Sequence, residues 1–275
     1  RNFHYYLCRQ LKGGGMEICM NIFTLTAVEF KKIKRSKILL ILIAATVILW
    51  FPNTLNADLN FDMSDIGISP ENSFFIQGFM GMAWFIYPAV MVVTTVILVQ
   101  TERTNHGILK MLALPVGTPL LCLAKFIVLA VTAAAFILFM TAGYYTAAAA
   151  AGALNDYSFI LAPDYVLPFA GKLYLASLPM LSVFWLIAVC ISTPIFSVGA
   201  GLISIVPSVL INNTKAWFVY PMGYPFYLVM TEYGKVAENI GKSRMDPIPW
   251  IPVAVGITLI CLLISCLYFG RAERR

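Results

Sequence analysis

Five stretches of this chain contain no Asp, Glu, Lys, Arg or His: residues 38–57, 72–101, 126–155, 173–214 and 247–270. A helix needs about 20 apolar residues to cross a hydrocarbon core about 30 Å thick. Four of the windows hold one crossing each. The remaining one, 173–214, holds two, with a turn near Ser192, Thr193 and Pro194. The runs are continuously apolar rather than alternating, so they read as helices and not as barrel strands. Charged residues make up 12% of the chain and hydrophobic ones 60%, whereas soluble chains carry roughly 25% charged residues. The expected fold is therefore an all-α membrane bundle of six helices. Its spans lie at about 36–55, 74–99, 120–147, 173–191, 194–211 and 250–269, by the length criterion.

The basic residues orient the bundle. Lys31, Lys32, Lys34, Arg35 and Lys37 precede span 1, and the C-terminal GRAERR is basic as well. Both termini are thus expected in the cytoplasm, and an even number of spans agrees. The first outer loop carries Asp58, Asp62, Asp65 and Glu71 without a base; it reads as a solvated acidic loop. The loop 215–246 is less clear, with four bases and three acids. The pI of about 9.0 follows from basic residues at the inner leaflet. No basic groove with stacking aromatics suggests nucleic acid.

Residues 1–19 read as a leader that is non-native or disordered. The run Lys12-Gly13-Gly14-Gly15 ahead of Met16 and Met20 is what a translated ribosome-binding site would give. The single six-span domain is then 20–275. Its first segment, MNIFTLTAVEFKKIKRSK, places Ile22, Phe23, Phe30 and Ile33 on one side of a helix and Lys31, Lys34 and Arg35 opposite. That pattern suits a helix lying on the membrane surface; a plain basic anchor is the other reading. Between spans 5 and 6, Trp217, Phe218, Tyr220, Tyr224, Phe226, Tyr227 and Tyr233 are dense enough for the headgroup zone. Two short helices broken at Pro221 and Pro225 are expected there.

Several chemistries find no residues to carry them. No ionisable group lies in the middle of a span, where coupled ion transport needs a partner. Gly241-Lys242-Ser243 lacks a phosphate-binding loop, because Val236 stands where the first glycine is required. Gly-x-Ser-x-Gly and His-Glu-x-x-His motifs are absent. The six cysteines show no CxxC spacing and read as small apolar fillers. With only two histidines, a His-based metal site is not expected. The chain reads as a non-enzyme with no cofactor of its own.

One polar segment interrupts this pattern: QTERTNHGILKMLALPVGTPLLCLAK, residues 100–125. Ile108, Leu109, Met111, Leu112 and Leu114 put an apolar face where water should be, and Pro115, Gly117 and Pro119 end the helix. An uncovered apolar helix at a bilayer boundary rests on lipid or docks on a protein. Glu102, Gly107, Leu112, Pro115 and Lys125, set between spans 2 and 3 of a six-span chain, resemble the permease subunit of ABC-2 type exporters. Size and spacing are most similar to permeases for bacteriocin (lantibiotic) self-protection or bacitracin-type peptide efflux. Ile108 and Lys110 follow Gly107 where such permeases often carry Thr or an acid.

The resemblance implies that this segment is a coupling helix seated in a groove of a separate ATPase subunit, which holds the ATP and Mg. Glu102, Arg103, Gly107, Lys110 and Pro115 would make the coupling contacts. A second permease chain, identical or a sister, would complete the pore in the bacterial cytoplasmic membrane. Trp217, Tyr220, Tyr224 and Phe226 would form an outer gate or a surface for an amphipathic peptide. A membrane scaffold or sensor subunit would share the span count without needing an ATPase. A passive channel lacks a recognisable filter or charged ring.

Overall fold

The structure, a computed structural model, describes residues 22–62, 67–103, 118–212, 214–237 and 247–272. The leader 1–19, with Met16, and the acid Asp65 lie outside them. The described residues are helical with no strand, and six stretches are long and apolar enough to cross a membrane. The expected all-α six-span bundle is what the chain forms.

The helices run α1 (Ile22–Arg35), α2 (Ile38–Leu55), α3 (Pro70–Gly81), α4 (Tyr87–Arg103) and α5 (Thr118–Asn155). They continue with α6 (Pro163–Cys190), α7 (Pro194–Ile205), α8 (Pro207–Asn212), α9 (Tyr224–Val236) and α10 (Pro247–Ala272). Spans 1 to 6 are α2, α3 with α4, α5, α6, α7 with α8, and α10. The turn between spans 4 and 5 falls at 191–193, where it was expected. We call the end bearing α1 the near end and the other the far end.

Spans 3 and 4 are longer than their apolar windows. The Ala147–Ala151 run favours the helix, so α5 continues to Asn155 rather than stopping near 147. It ends because Asp156 takes a left-handed conformation (φ 49°) and Tyr157 N–H reaches back to the Gly152 carbonyl. After seven residues, Pro163 opens α6 from a first-turn position, where its missing N–H costs nothing. Lys172, read from the sequence as outside span 4, is consequently an exposed residue of α6.

Span 2 is continuous but not uniformly α-helical. Met82–Ile86 form a π-turn, and Tyr87 N–H bonds to the Met82 carbonyl. Pro88, which lacks an N–H, follows immediately, and the inserted residue lies where the helix ladder must pass it. Tyr87, fully buried, shares a 2.8 Å hydrogen bond with Ser177 and so ties span 2 to span 4.

The far end is packed by aromatic rings. Trp50 of α2 lies against Phe74, Phe79 and Tyr144, with centroids 5.7–6.0 Å apart. Two glycines admit its indole: a Cβ on Gly78 would lie 2.4 Å from the ring, and one on Gly143 2.6 Å. Tyr144 Oη donates to the Phe159 carbonyl and accepts from Leu161 N–H, which anchors the α5–α6 connection. The small residues of span 5 divide. Gly201 packs on Val92 of α4, whereas a Cβ on Gly199 would meet nothing.

Candidate functional site

Two regions carry the residues that sequence reasoning singled out. At the near end, α4 ends at Arg103 and α5 begins at Thr118. The two helices bracket the segment read as the coupling element. Glu102 and Arg103 occupy the last turn of α4, and their side chains are not among those described. Gly107, Leu112, Lys110 and Pro115 lie outside the described residues.

The roots of this segment are well fixed. One turn before Arg103, Gln100 Nε2 donates to the Ser192 carbonyl in the α6–α7 turn at 3.0 Å. One residue into α5, the Pro119 carbonyl accepts from Cys266 Sγ of α10 at 3.7 Å. Cys122, also near the start of α5, accepts from Trp185 Nε1 of α6. These contacts join α4, α5, α6, α10 and the α6–α7 turn near the bases of α4 and α5.

An ion pair that sequence reasoning missed lies just above those bases. Lys125 of α5 donates from Nζ to Glu29 Oε2 of α1 at 2.8 Å. Lys32 donates to Glu29 Oε1 at 2.6 Å. Glu29 is 4% exposed and Lys125 2%. Burial pushes the Glu29 carboxyl up. The charge and hydrogen bond of Lys125, with those of Lys32, outweigh burial and hold it below the usual carboxylate range. Lys125 closed the polar segment 100–125 in the sequence, just inside the expected span 3, and it is a buried residue of α5.

Helix α1 packs Ile22, Phe30 and Ile33 of its expected apolar side on the core, with Leu25 and Glu29 buried beside them. Leu25 and Glu29 are its buried positions, flanked by half-buried Ile22, Lys32 and Ile33. Phe23, expected on the same side as Ile22, is 78% exposed. The carboxylate is accommodated on the bundle-facing arc because Lys125 offers it a partner there, and Phe23 is left exposed.

At the far end, the aromatic segment forms two 3-10 turns, Trp217–Val219 and Pro221–Gly223, followed by the single helix α9. Two short helices broken by proline were expected. Instead Pro225 stands in the first turn of α9, where proline starts a helix rather than breaking it. Trp217 stacks on Tyr227 at 4.0 Å, and Tyr224 meets Trp250 of α10 edge-on at 5.8 Å. Tyr220 Oη donates to the Ser204 carbonyl of α7, and Tyr224 Oη to the Phe218 carbonyl. Burial pushes the Tyr224 phenol up to about 12. Tyr224 is fully buried, while Trp217, Tyr220 and Phe226 are half-buried. These residues tie α9 to α7 and α10, and three of them keep part of their surface open. Beside them, Tyr165 of α6 donates to Glu232 of α9 at 3.4 Å, and Lys235 pairs with Glu232 at 2.6 Å.

A family model described as ABC-2 family transporter protein matches residues 25–208. The match begins within α1 and ends within α8, in the last turn of span 5. No curated protein and no solved structure matches the chain. Six spanning helices, a surface helix at the near end and this match lead to one conclusion: the chain belongs to the ABC-2 transporter family, the membrane-embedded subunits that work with an ATPase partner.

Proposed function

We propose that this chain is the permease subunit of an ATP-driven exporter, with the 102–119 segment as its coupling element. The observation that carries the reading is the placement of this segment. It joins two long spanning helices inside the family-matched region, at the end where α1 lies and where the helix bases are tied together. Glu102, Arg103, Gly107, Lys110 and Pro115 make the contacts to the ATPase subunit, which holds ATP and Mg. The near end faces the cytoplasm in this reading, which the basic residues around α1 support, and the membrane is the bacterial cytoplasmic one.

Two permease chains, identical or paired with a sister, enclose the path. Closure of the ATPase pair on ATP shifts the coupling segments, and α4 and α5 carry the shift to the far end. There Trp217, Tyr220, Tyr224 and Phe226 form the outer gate or the surface that meets substrate. The substrate class is an amphipathic peptide drawn from the membrane, of the lantibiotic kind. The half-buried aromatic rings support that choice, since they offer apolar faces beside polar edges.

Co-purification from native membranes in mild detergent, comparing wild type with Gly107→Pro, tests the reading. An ATPase subunit recovered with wild type and lost from the variant is the expected result. Recovery with neither removes the energy source and favours a scaffold role. Recovery with both moves the docking site away from this segment.

A further inference from the structure

The Glu29–Lys125 pair is expensive for a membrane protein. Each ion gives up most of its hydration, and two apolar side chains of similar volume would hold the same helices together at no such cost. Its location is informative. A cavity of about 10 Å³, large enough for about one water, is lined by Glu29, Lys32, Ser36, Ile38, Leu98 and Lys125. Four elements therefore converge on the pair: α1, the first residue of α2, the last turns of α4 and the second turn of α5. Leu98 stands five residues before the end of α4, and Lys125 seven residues after the start of α5. The two helices that carry the coupling segment thus both border the ion pair immediately above their bases.

Apolar packing alone would leave α1 free to rotate or slide on α5. A carboxylate whose two oxygens each accept from a different lysine is satisfied in one register only. We propose that Glu29 is a positioning residue: through Lys125 it clasps the surface helix α1 to the base of α5, so that a displacement of the coupling segment moves α1 and α5 as one body. This rests on the coupling role proposed for 102–119. Lys32 holds the second carboxylate oxygen and fixes the rotation of the clasp.

Two double variants test it. Glu29→Leu with Lys125→Met removes the charges and keeps the packing volume. Glu29→Lys with Lys125→Glu exchanges the partners and leaves the summed charge of the three groups unchanged. Both are compared with wild type in the complex carrying whatever ATPase co-purifies. The apolar double is expected to stay folded and bound to the ATPase but to lose about tenfold in ATP hydrolysis stimulated by an added lantibiotic peptide, a typical coupling magnitude. The exchanged double is expected to recover most of it. Undiminished stimulation in the apolar double overturns the proposal.

A second readout needs no ATPase and separates failure of the clasp from failure of the coupling role. Spin labels at the exposed positions Lys31 and Val131 report the α1–α5 distance in the permease alone. A narrow distribution in wild type that broadens in the apolar double is expected. One that stays narrow means that packing, not the ion pair, fixes α1.

Discussion

Gly78→Ala is the sharpest test of how the far end is packed. In an exposed helix the change favours the folded state by about 1 kcal/mol, because alanine is the better helix former. Here the new methyl lies 2.4 Å from two ring carbons of Trp50 and 2.8 Å from Asn53 Nδ2. Carbon atoms pack best at about 3.5–4.0 Å, so the ring must move by about an ångström. Its escape is closed, since Gly143 lies in contact with another edge and Phe74, Phe79 and Tyr144 surround it. Overpacking of this kind costs about 1–3 kcal/mol, and helix propensity returns about 1 kcal/mol. The net loss is expected to be on the order of 1–2 kcal/mol, or a few degrees in apparent Tm at this chain length. Thermal unfolding in detergent, followed by size-exclusion fluorescence, measures it. Trp50→Phe in the Gly78→Ala background should recover part of the loss, because the smaller ring vacates the overlap, and a double-mutant cycle isolates that coupling. A neutral or stabilising Gly78→Ala, or additive effects of the two changes, would refute the reasoning.

Other outcomes follow from the same structure. Tyr87→Phe and Ser177→Ala each break one buried link between spans 2 and 4. Each should lower stability by about 0.5–1.5 kcal/mol, with little further loss in the double variant. Glu29→Gln leaves Lys125 buried without its full counter-charge and should cost about 3–5 kcal/mol at neutral pH. Because the Glu29 pKa is held below its ordinary value, that contribution is complete above the ordinary carboxylate range and fades as pH falls through the depressed pKa. Melting curves of wild type and Glu29→Gln should therefore converge in acid. Gly201→Val should loosen span 5 from span 2, since its Cβ would fall 2.6 Å from a Val92 methyl, whereas Gly199→Ala should be tolerated; the same melting assay separates them. The Tyr157 phenol is pushed up to about 12, by its hydrogen bond to Glu71 first and then by burial. It should stay protonated at pH 10 in an ultraviolet titration, and Glu71→Gln should bring it down.

The spans could be read from sequence because lipid imposes a one-dimensional rule: a charge-free run of sufficient length crosses. Ser192, Thr193 and Pro194 likewise marked a turn by local chemistry. Features that depend on what lies opposite could not be read this way. Lys125 looked like the edge of a polar segment because its partner, Glu29, is 96 residues away in sequence. Glu29 was absent from the apolar side read for α1 for the same reason, since apolar periodicity gives no credit to a carboxylate. The far ends of spans 3 and 4 were set too short because hydropathy detects lipid, and the extra turns of α5 and α6 pack partly on aromatic rings. Gly78 and Gly143 were ordinary small residues until Trp50 was found seated on them. The aromatic segment before span 6 was recognised as unusual, but its prolines were taken as breaks when one of them begins a helix. As for the candidate site, the polar interruption and the family resemblance pointed to one segment and one class of transporter, and the matched family agrees with that class.

Span 3 has a mechanical consequence. As 38 unbroken helical residues at 1.5 Å each, α5 is a rod about 57 Å long, nearly twice the thickness of the hydrocarbon it crosses. Its one proline, Pro119, stands in the first turn, where it makes no hinge. A tilt of about 5° about its base would swing the opposite tip by about 5 Å, from the length of the rod alone. Lys125 sits near the base of this lever and Tyr144 near its tip, inside the ring cluster that also holds Trp50 and Phe75. Spans 1 and 2 are therefore loaded whenever span 3 leans, and a small push at one face of the membrane reaches the other without any helix having to bend.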